Sequence, residues 1–311
     1  MKGIVIKSTG SWYTVLQENG EHVDARIKGK FRLQGIKTTN PIAVGDNVEM
    51  ELEEDGTAVI NSIAERKNYI IRKSINLSKR SHIIATNVDQ AILVVTLSQP
   101  KTYTAFIDRF LVSAEAYHIP TIIVFNKIDV YTNKEIEELA YLKNIYTKIG
   151  YQCLETSATE NKNINQVKEL LKDKITVISG HSGVGKSTLL NTIEPNLDLK
   201  TSEISESHLQ GKHTTTFAEM FELSFGGFII DTPGIKAFGL IDFDKNELSH
   251  YFLEMRSLLE NCHFNNCQHI NEPNCAIKEA VAKNEISEFR YDNYLSIYED
   301  DEEENYRSKG Y

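Results

Sequence analysis

The chain has 311 residues, of which 41% are hydrophobic and 25% are charged. This composition is ordinary for a globular protein, and the length suffices for two or three domains. The net charge of −10 argues against a general affinity for nucleic acid. No apolar run is long enough to span a bilayer, and the N-terminus lacks a signal-peptide core and cleavage site, so we expect a cytoplasmic protein.

Residues 1–70 contain five short segments that are rich in β-formers or alternate apolar with polar residues. In chain order these segments are GIVIKS, WYTVLQ, HVDARIK, DNVEMELE and TAVINSI. ENG at 18–20 and EDG at 54–56 are typical of hairpin turns. Five strands in so short a stretch predict a small closed barrel, which removes exposed sheet edges. We predict an OB-type barrel, with an SH3-like barrel as the alternative.

Basic residues are concentrated at the end of this predicted barrel and just after it. The stretch ERKNYIIRKSINLSKR at 65–80 has six lysines and arginines and a single acid, whereas EDDEEE at 299–304 is wholly acidic. The stretch offers a polyanion such as RNA a local basic face, although an ordinary solvated surface explains it equally well. Lys73, Lys79 and Arg80 are the candidates for RNA contact.

Residues 71–241 alternate apolar, strand-like runs with helical patterns. The strand-like runs are QAILVVTLS, TIIVFNKID, YQCLETSA, KITVISG and GGFIIDTPG. This alternation predicts βαβ units around a parallel sheet, the α/β class, because buried parallel strands are apolar on both faces. Residues 242–311 are instead helical and cysteine-bearing, and they form a third predicted domain that ends in the acidic tail.

GHSGVGKST at 180–188 matches the G-x-x-x-x-G-K-[ST] pattern between a predicted strand and a predicted helix. Glycines let the backbone approach phosphates closely, and N–H groups at a helix N-terminus attract anions. We expect Lys186 to reach the β- and γ-phosphates and the Ser187 hydroxyl to bind Mg²⁺. An ordinary Gly/Ser-rich turn is the alternative. The candidate phosphate-binding residues are Gly180, His181, Ser182, Gly183, Val184, Gly185, Lys186, Ser187 and Thr188.

NKID at 126–129 follows the apolar strand TIIVF and indicates which base is bound. Asp129 can accept hydrogen bonds from guanine N1–H and the 2-amino group, which adenine lacks. Asn126 can bridge to neighbouring loops, and the Lys127 stem can lie over the base plane. In TSA at 156–158, the Ala158 amide can meet guanine O6. The candidate guanine-binding residues are Asn126, Lys127, Ile128, Asp129, Ser157 and Ala158.

Two further loops supply candidates for Mg²⁺ and hydrolysis. In DTPG at 231–234, we expect Asp231 to hold the Mg²⁺ shell through water and Gly234 to sense the γ-phosphate. In GKHTTT at 211–216, one of three threonines completes the shell, and Thr215 is our candidate. Ile235 stands where many GTPases place a water-orienting glutamine. His213 can orient the water or act as a base, or it can merely cap the loop or contact RNA.

The loops occur in an unusual chain order. The guanine-reading loops precede the phosphate-reading loops. A nucleotide site at the carboxyl ends of parallel strands requires the loops to cluster in space, whatever their order in the chain. The sequence therefore predicts a circularly permuted GTP-binding domain.

Three of the four cysteines fall close together in the C-terminal region. Cys262, Cys267, His269 and Cys275 have the spacing C-x₄-C-x-H-x₅-C, which suits tetrahedral zinc. His263 competes with His269, but it adjoins Cys262. Four protein ligands leave no open position, so the predicted role of the zinc is structural. Cys153 lies inside an apolar strand, so we predict that it is a core residue.

Nearly the whole chain resembles the bacterial circularly permuted GTPases of small ribosomal subunit biogenesis. The resemblance depends on NVDQAILVVTLSQP, FNKID, GHSGVGKSTLLN, GKHTTT, DTPGIKAFGL and CHFNNCQHINEPNCAI, all in that family's order. It implies an N-terminal OB barrel, a permuted GTPase domain and a C-terminal zinc domain with His269 as the ligand. It also implies a late assembly factor that binds the 30S subunit and 16S rRNA and hydrolyses GTP faster on that subunit. We expect the protein to be a monomer that does not bind membranes. Other assembly factors are additional candidate partners.

Two other functions fit the same motifs. The protein can use GTP only as a structural ligand within a binding module, or it can be a permuted GTPase that acts on large-subunit RNA or a membrane. The barrel and the zinc region favour RNA, and the lack of an amphipathic or lipidated segment disfavours a membrane.

Overall fold

The computed structural model describes residues 1–27, 41–73, 81–197, 218–231 and 245–299. Among these residues, no helix combines the length and the apolar character needed to cross a membrane. Three regions follow one another along the chain, in the order expected from the sequence. They are a β-barrel, a parallel sheet with helices on both faces, and a small helical C-terminal region.

Five strands form the N-terminal barrel. They are β1 (Lys2–Ser8), β2 (Tyr13–Gln17), β3 (His22–Ile27), β4 (Asn47–Leu52) and β5 (Ala58–Ile63). β1 pairs with both β2 and β4, and β3 pairs with β5 in parallel, so the order β1-β2-β3-β5-β4 closes on itself. This closed five-stranded order confirms the OB-type barrel over the SH3-like alternative.

Alternating side chains fill the barrel. Val5, Tyr13, Val15, Ala25 and Met50 are buried, and their neighbours along each strand are mostly more exposed. The predicted turns ENG and EDG both place their glycine at positive φ, +83° and +84°, where a residue with a Cβ is strained.

The central region is a six-stranded sheet preceded by a hairpin. Its strands are β6 (Tyr69–Lys73), β7 (Ser81–Thr86), β8 (Gln90–Val95), β9 (Thr121–Phe125), β10 (Gln152–Glu155), β11 (Ile175–Ser179), β12 (Glu219–Glu222) and β13 (Phe228–Asp231). Its helices are α1 (Thr104–Ala116), α2 (Asn133–Ile149), α3 (Ile164–Leu171) and α4 (Lys186–Ile193), with short 3₁₀ helices at Ile128–Val130 and Pro195–Leu197. The order is β10-β9-β8-β11-β13-β12, with only β12 antiparallel. Sequence patterns missed the β6–β7 hairpin and β12.

Helices cover both faces of this sheet, which explains the continuous apolar strands. Alternate residues of β8 face opposite sides: Leu93 and Val95 pack with α1 and α2, whereas Ile92 and Val94 pack with α3 and α4. A strand buried on both faces cannot alternate apolar with polar residues.

The sheet continues into the barrel. β12 pairs antiparallel with β1, with Lys7 opposite Glu219, so one sheet of 11 strands runs through both regions. The pairing joins the two regions through backbone hydrogen bonds.

The C-terminal domain, residues 245–299 as described, is built from short helices. They are two 3₁₀ helices (Lys245–Tyr251 and Leu259–Asn261), α5 (Leu253–Arg256), α6 (Ala276–Ala282) and α7 (Glu288–Glu299). Phe252, Met255, Ile277 and Tyr294 form its core, and Val112 of α1 belongs to the same cluster. The domain therefore packs directly on the central region.

Candidate functional site

The predicted nucleotide loops meet at one edge of the sheet. In the parallel register Val95 lies opposite Phe125, Phe125 opposite Glu155, and Leu93 opposite Ser179. The loops that follow β9, β10 and β11 therefore leave the sheet at the same carboxyl end of the strands, where ligands bind in open parallel sheets.

The phosphate loop connects β11 to α4, and two of its glycines have no substitute. Gly180 has φ +143°, and a Cβ there would lie 2.2 Å from the Val94 carbonyl oxygen. Gly185 has φ +92°, and its Cβ would lie 2.6 Å from Asn126 Nδ2. Both positions combine a left-handed backbone with a close approach, so only glycine fits.

The lysine and serine of the motif lie where the loop turns into α4. Lys186 Nζ donates to the carbonyl oxygens of Gly180 and His181, at 2.7 Å each. Ser187 is buried at the start of α4, and Thr188 follows it in the same turn. The lysine ammonium thus lies within the curve of the loop, next to the helix N-terminus.

Asn126 joins the guanine motif to the phosphate loop. Its side chain is buried, its Nδ2 donates to the Val184 carbonyl at 2.9 Å, and its Oδ1 accepts from Thr156 Oγ1 at 3.0 Å. One side chain therefore ties together three loops that are far apart in sequence. Asp129 and Lys186 belong to loops that are in direct contact, as one nucleotide site requires.

Tyr131 holds the backbone of Asn126 in place. Its hydroxyl donates to the Asn126 carbonyl at 2.8 Å and accepts from the Leu97 N–H at 2.9 Å. Burial raises the pKa of Tyr131 to about 12, so the hydroxyl stays protonated at neutral pH and keeps donating. Sequence reasoning missed Tyr131, although a tyrosine two residues after NKID is a visible signal.

The Asp129 carboxylate is exposed and ready to accept hydrogen bonds. Hydrogen bonding from Ser157 holds its pKa below the ordinary value, with a smaller contribution from Thr159, whose Oγ1 donates to Oδ2 at 3.2 Å. The carboxylate is therefore ionised at neutral pH, as guanine recognition needs. Lys127 next to it has φ +60°, and its Nζ donates to the Gln99 carbonyl at 2.7 Å.

The TSA loop is bonded to the NKID loop. The Thr156 N–H donates to the Phe125 carbonyl at 2.8 Å, and the Ile128 N–H donates to the Thr156 carbonyl at 3.2 Å. Ser157 and Lys162 exchange two backbone hydrogen bonds, which close a turn around Ala158. The structure thus brings the predicted guanine-binding residues together.

The Mg²⁺ and hydrolysis candidates are only partly placed. β13 runs parallel to β11 and ends at Asp231, so the backbone of DTPG begins at the same edge of the sheet. His213, Thr215 and Gly234 lie outside the described residues.

The four predicted metal ligands converge in the C-terminal domain. The ligand atoms of Cys262, Cys267, His269 and Cys275 all lie within 4.8 Å of one another. His269 Nδ1 is 3.6 Å from Cys262 Sγ and 3.4 Å from Cys275 Sγ. These separations suit a tetrahedral ion with bonds of about 2.0–2.3 Å. His263 instead packs edge-on against Phe264 outside the group.

Hydrogen bonds hold the cluster's backbone. Tyr291 Oη donates to the His269 carbonyl at 2.5 Å, and Tyr294 Oη donates to the Gln268 carbonyl at 2.8 Å. The Glu272 carboxylate accepts from the N–H groups of residues 268, 270 and 271.

Burial raises the pKa of Cys267 to about 12, and a cation among the sulfurs would reverse that shift by favouring thiolates. Three sulfurs and one imidazole form a donor set that fits zinc.

One predicted basic residue has a different role from the one expected. Arg66 is not part of an exposed basic face, because its guanidinium donates to Asp46 at 2.6 and 2.7 Å and is mostly buried. Lys67 is exposed but pairs with Asp89 at 3.1 Å. Lys79 and Arg80 lie outside the described residues, as does the side chain of Lys73.

Fold and site together define a class of protein. A parallel sheet carries a phosphate loop after β11 and a guanine-reading motif after the earlier β9, and Asn126 joins the two. This arrangement is that of a circularly permuted GTPase.

The family follows from comparison with known sequences. The RsgA GTPase family matches residues 63–241, and the RsgA N-terminal domain matches residues 2–60. The chain belongs to the RsgA family of GTPases and is a GTP-hydrolysing enzyme, which implies GTP, GDP and Mg²⁺ as ligands.

Relatives match along the full length of the chain. A protein of Flavobacterium johnsoniae named small ribosomal subunit biogenesis GTPase RsgA is 58% identical and covers 100% of this chain and 96% of the relative. One of the same name from Christiangramia forsetii is 56% identical, covering 100% and 99%. The crystal structure of YjeQ from Thermotoga maritima has a TM-score of 0.78 at 40% identity and covers 96% of each chain. That of YloQ, described as a circularly permuted GTPase, has a TM-score of 0.74 at 32% identity, covering 96% and 93%.

Proposed function

We propose that this protein is a late-stage assembly factor of the small ribosomal subunit, whose GTP hydrolysis the 30S subunit stimulates and which binds 16S rRNA. The hydrogen bond from Asn126 Nδ2 to the Val184 carbonyl carries the enzymatic part, because it brings base-reading and phosphate-reading loops into one site. The names of the full-length relatives support the ribosomal part. The protein acts as a cytoplasmic monomer, with other assembly factors as further partners.

Each loop has one task in the proposed site. Asp129 accepts from the guanine N1–H and 2-amino groups, and the Ala158 amide donates to O6. N–H groups of residues 180–188 surround the phosphates, and Lys186 neutralises their charge. Ser187 and Asp231 would hold Mg²⁺, Thr215 would add a further ligand, and Gly234 would sense the γ-phosphate. When bound, Mg²⁺ would stabilise the negative charge that develops on the phosphates as the γ-phosphoryl group passes to water and GDP leaves.

Hydrolysis on this chain lacks the usual glutamine. Ile235 occupies that position and can neither donate nor accept a hydrogen bond through its side chain. His213 is our candidate for orienting the attacking water. Hydrolysis without the ribosome is therefore slow, and docking completes the site. A His213→Ala protein that keeps full subunit-stimulated turnover would refute this assignment.

We assign three functional units at 1–70, 71–241 and 242–311. Cys262, Cys267, His269 and Cys275 hold one structural zinc ion, supported by their converging ligand atoms. The barrel and the zinc domain contact rRNA, and Lys73, Lys79 and Arg80 contribute charge. Triple alanine substitution there should weaken subunit binding and reduce its dependence on salt.

The test is GTP turnover with purified 30S subunits, 50S subunits or neither, with ATP as the control nucleotide. We expect 30S subunits, but not 50S subunits, to raise the rate of GTP turnover, and we expect no turnover of ATP. GTP binding without turnover in any of the three samples would mean that GTP is only a structural ligand, and equal turnover in all three would refute stimulation by the subunit. Stimulation by 50S subunits would assign the enzyme to the large subunit.

A further inference from the structure

An aromatic side chain outside the nucleotide motifs contacts the phosphate loop. Phe106 lies in the first turn of α1, and its ring stacks on His181, with ring centroids 3.7 Å apart and planes 30° apart. Phe106 is half-buried and packs against the core beneath α1 and α2. Offset-stacked aromatic pairs favour one relative orientation, so the stack fixes the direction of the His181 side chain.

His181 is also one of the two residues that the loop lysine contacts. Its carbonyl oxygen accepts from Lys186 Nζ at 2.7 Å and from the Val184 N–H at 3.5 Å. Two residues later, Gly183 lies against the segment that leads into α1, since a Cβ there would be 3.2 Å from Pro100 Cδ. The first half of the phosphate loop therefore rests on α1 and its leading segment.

α1 is itself firmly held two residues after Phe106. Asp108 is fully buried, its Oδ1 accepts from Arg290 at 2.6 Å and from the Tyr146 hydroxyl at 2.7 Å, and its Oδ2 accepts from Asn293 at 2.5 Å. These contacts thus anchor the part of α1 that carries Phe106 to α2 and to the C-terminal domain. A site is held in its productive geometry when its supports are locked by their own packing.

We propose that Phe106 is a positioning residue for nucleotide binding. By stacking on His181, it holds the backbone of the phosphate loop in the conformation that directs N–H groups at an anion. Phe106 touches no reacting atom in this role and acts through the loop. The inference rests on the phosphate loop being the nucleotide site, as proposed above.

The test measures the dissociation constant of fluorescent N-methylanthraniloyl-GDP on the full-length, zinc-loaded protein. We expect Phe106→Ala and His181→Ala each to weaken binding about 3- to 10-fold, the range typical of an aromatic pair. The double variant should bind no more weakly than the weaker single variant, because each change already removes the same stack. Phe106→Tyr, which keeps the ring, should bind within about twofold of the wild type.

Tyr103→Ala is the matched control, because this aromatic residue lies one turn earlier and is 58% exposed. It should leave binding unchanged. Wild-type affinity in Phe106→Ala, or a double variant whose loss equals the product of the single losses, would overturn the proposal. If Phe106→Ala fails to fold, Phe106→Leu preserves the packing while removing the stack and is judged by the same criteria.

Lys186→Ala separates this inference from the proposed function. If Lys186→Ala binds the nucleotide normally, the phosphate loop is not the site and both proposals fail. If Lys186→Ala loses binding but Phe106→Ala does not, only the positioning role fails.

Discussion

The barrel and the C-terminal domain are attached to the GTPase region by different kinds of contact. The barrel is joined largely through the backbone: β1 pairs with β12, and the Thr86 N–H donates to the Val44 carbonyl at 2.9 Å. The Thr86 hydroxyl also donates to the buried Asp46 carboxylate at 2.9 Å. Asn87 adds a side-chain hydrogen bond to the Gly45 carbonyl at 2.8 Å. Backbone pairing of this kind depends on chain conformation more than on side-chain identity.

The C-terminal domain is joined instead through buried charges. Arg290 is fully buried and donates both to Asp108 of α1 and to Glu254 of its own domain, at 2.6 Å each. Its guanidinium also lies over the Phe252 ring, 4.6 Å from the centroid. Burial raises the pKa of Asp108, and the charge of Arg290 opposes that shift.

The difference predicts where each junction is vulnerable. A junction of backbone hydrogen bonds is disrupted most easily at a glycine whose positive φ and close contacts leave no room for a Cβ. A junction of buried charges fails when one partner is removed, because the remaining charges lose compensation. The variants below test this contrast.

The largest effect is expected at the proposed zinc site, the converging Cys262, Cys267, His269 and Cys275 of the domain that carries Arg290. Cys275→Ser removes one of the four proposed ligands, and structural zinc contributes roughly 10–16 kcal/mol of apparent binding free energy in small domains. We expect the C-terminal domain to lose its fold and its zinc while the barrel and sheet stay folded. Limited proteolysis and elemental analysis measure both. Cys153→Ser is the control, since Cys153 lies in β10 away from the cluster, and it should keep its zinc.

Arg290→Met comes next. It leaves Asp108 and Glu254 without their cation, and breaking a buried pair costs about 3–5 kcal/mol of unfolding free energy. Urea denaturation measures the loss. Arg256→Met is the control, because its partner Glu115 is 3.8 Å away and the arginine side chain is 54% exposed, so we expect less than about 1 kcal/mol. Equal losses in the two variants would contradict a junction built on buried charge.

Gly45→Ala tests the barrel junction. Gly45 has φ +93°, and a Cβ there would lie 2.1 Å from the Thr86 carbonyl oxygen, so the barrel must shift away from β7. A strained backbone of this kind lowers the free energy of unfolding by about 1–3 kcal/mol. Because the added Cβ would also overlap the Thr86 carbonyl oxygen, we expect a loss at the upper end of this range. Gly20→Ala shares a positive φ of +83° but meets nothing within 4 Å, so it should cost about 1 kcal/mol. If both alanines cost the same in thermal unfolding, the close approach at the junction is unimportant.

Lys7→Ala is expected to have the smallest effect. Lys7 pairs with Glu219 across β1 and β12 at 2.9 Å, and both side chains are about half exposed or less. Exposed ion pairs contribute about 0.2–1 kcal/mol, and salt screens them. The loss in unfolding free energy should shrink further in 1 M NaCl. A loss above about 2 kcal/mol that persists in salt would show that this side chain, as well as the backbone, holds the junction.

Local patterns predicted most of the fold and the composition of the site. The five barrel strands and the alternating helices and strands lie within a few residues of their predicted bounds, because strand and helix periodicities are set by near neighbours. β12 was missed because EMFE is a short antiparallel strand between two partners that the local sequence does not reveal. Arg66 was counted as a surface cation because its partner Asp46 is 20 residues away.

By itself, the sequence determined which residues can bind phosphate, guanine and zinc, since these chemistries require particular residue types at short, fixed spacings. It also determined the permuted order of the loops. Only the tertiary structure decided that Asn126 meets Val184 across 58 residues and that Asp108 meets Arg290 across 182. Such contacts depend on how whole elements pack, and no local pattern specifies which distant partner will share a buried side chain's hydrogen bonds.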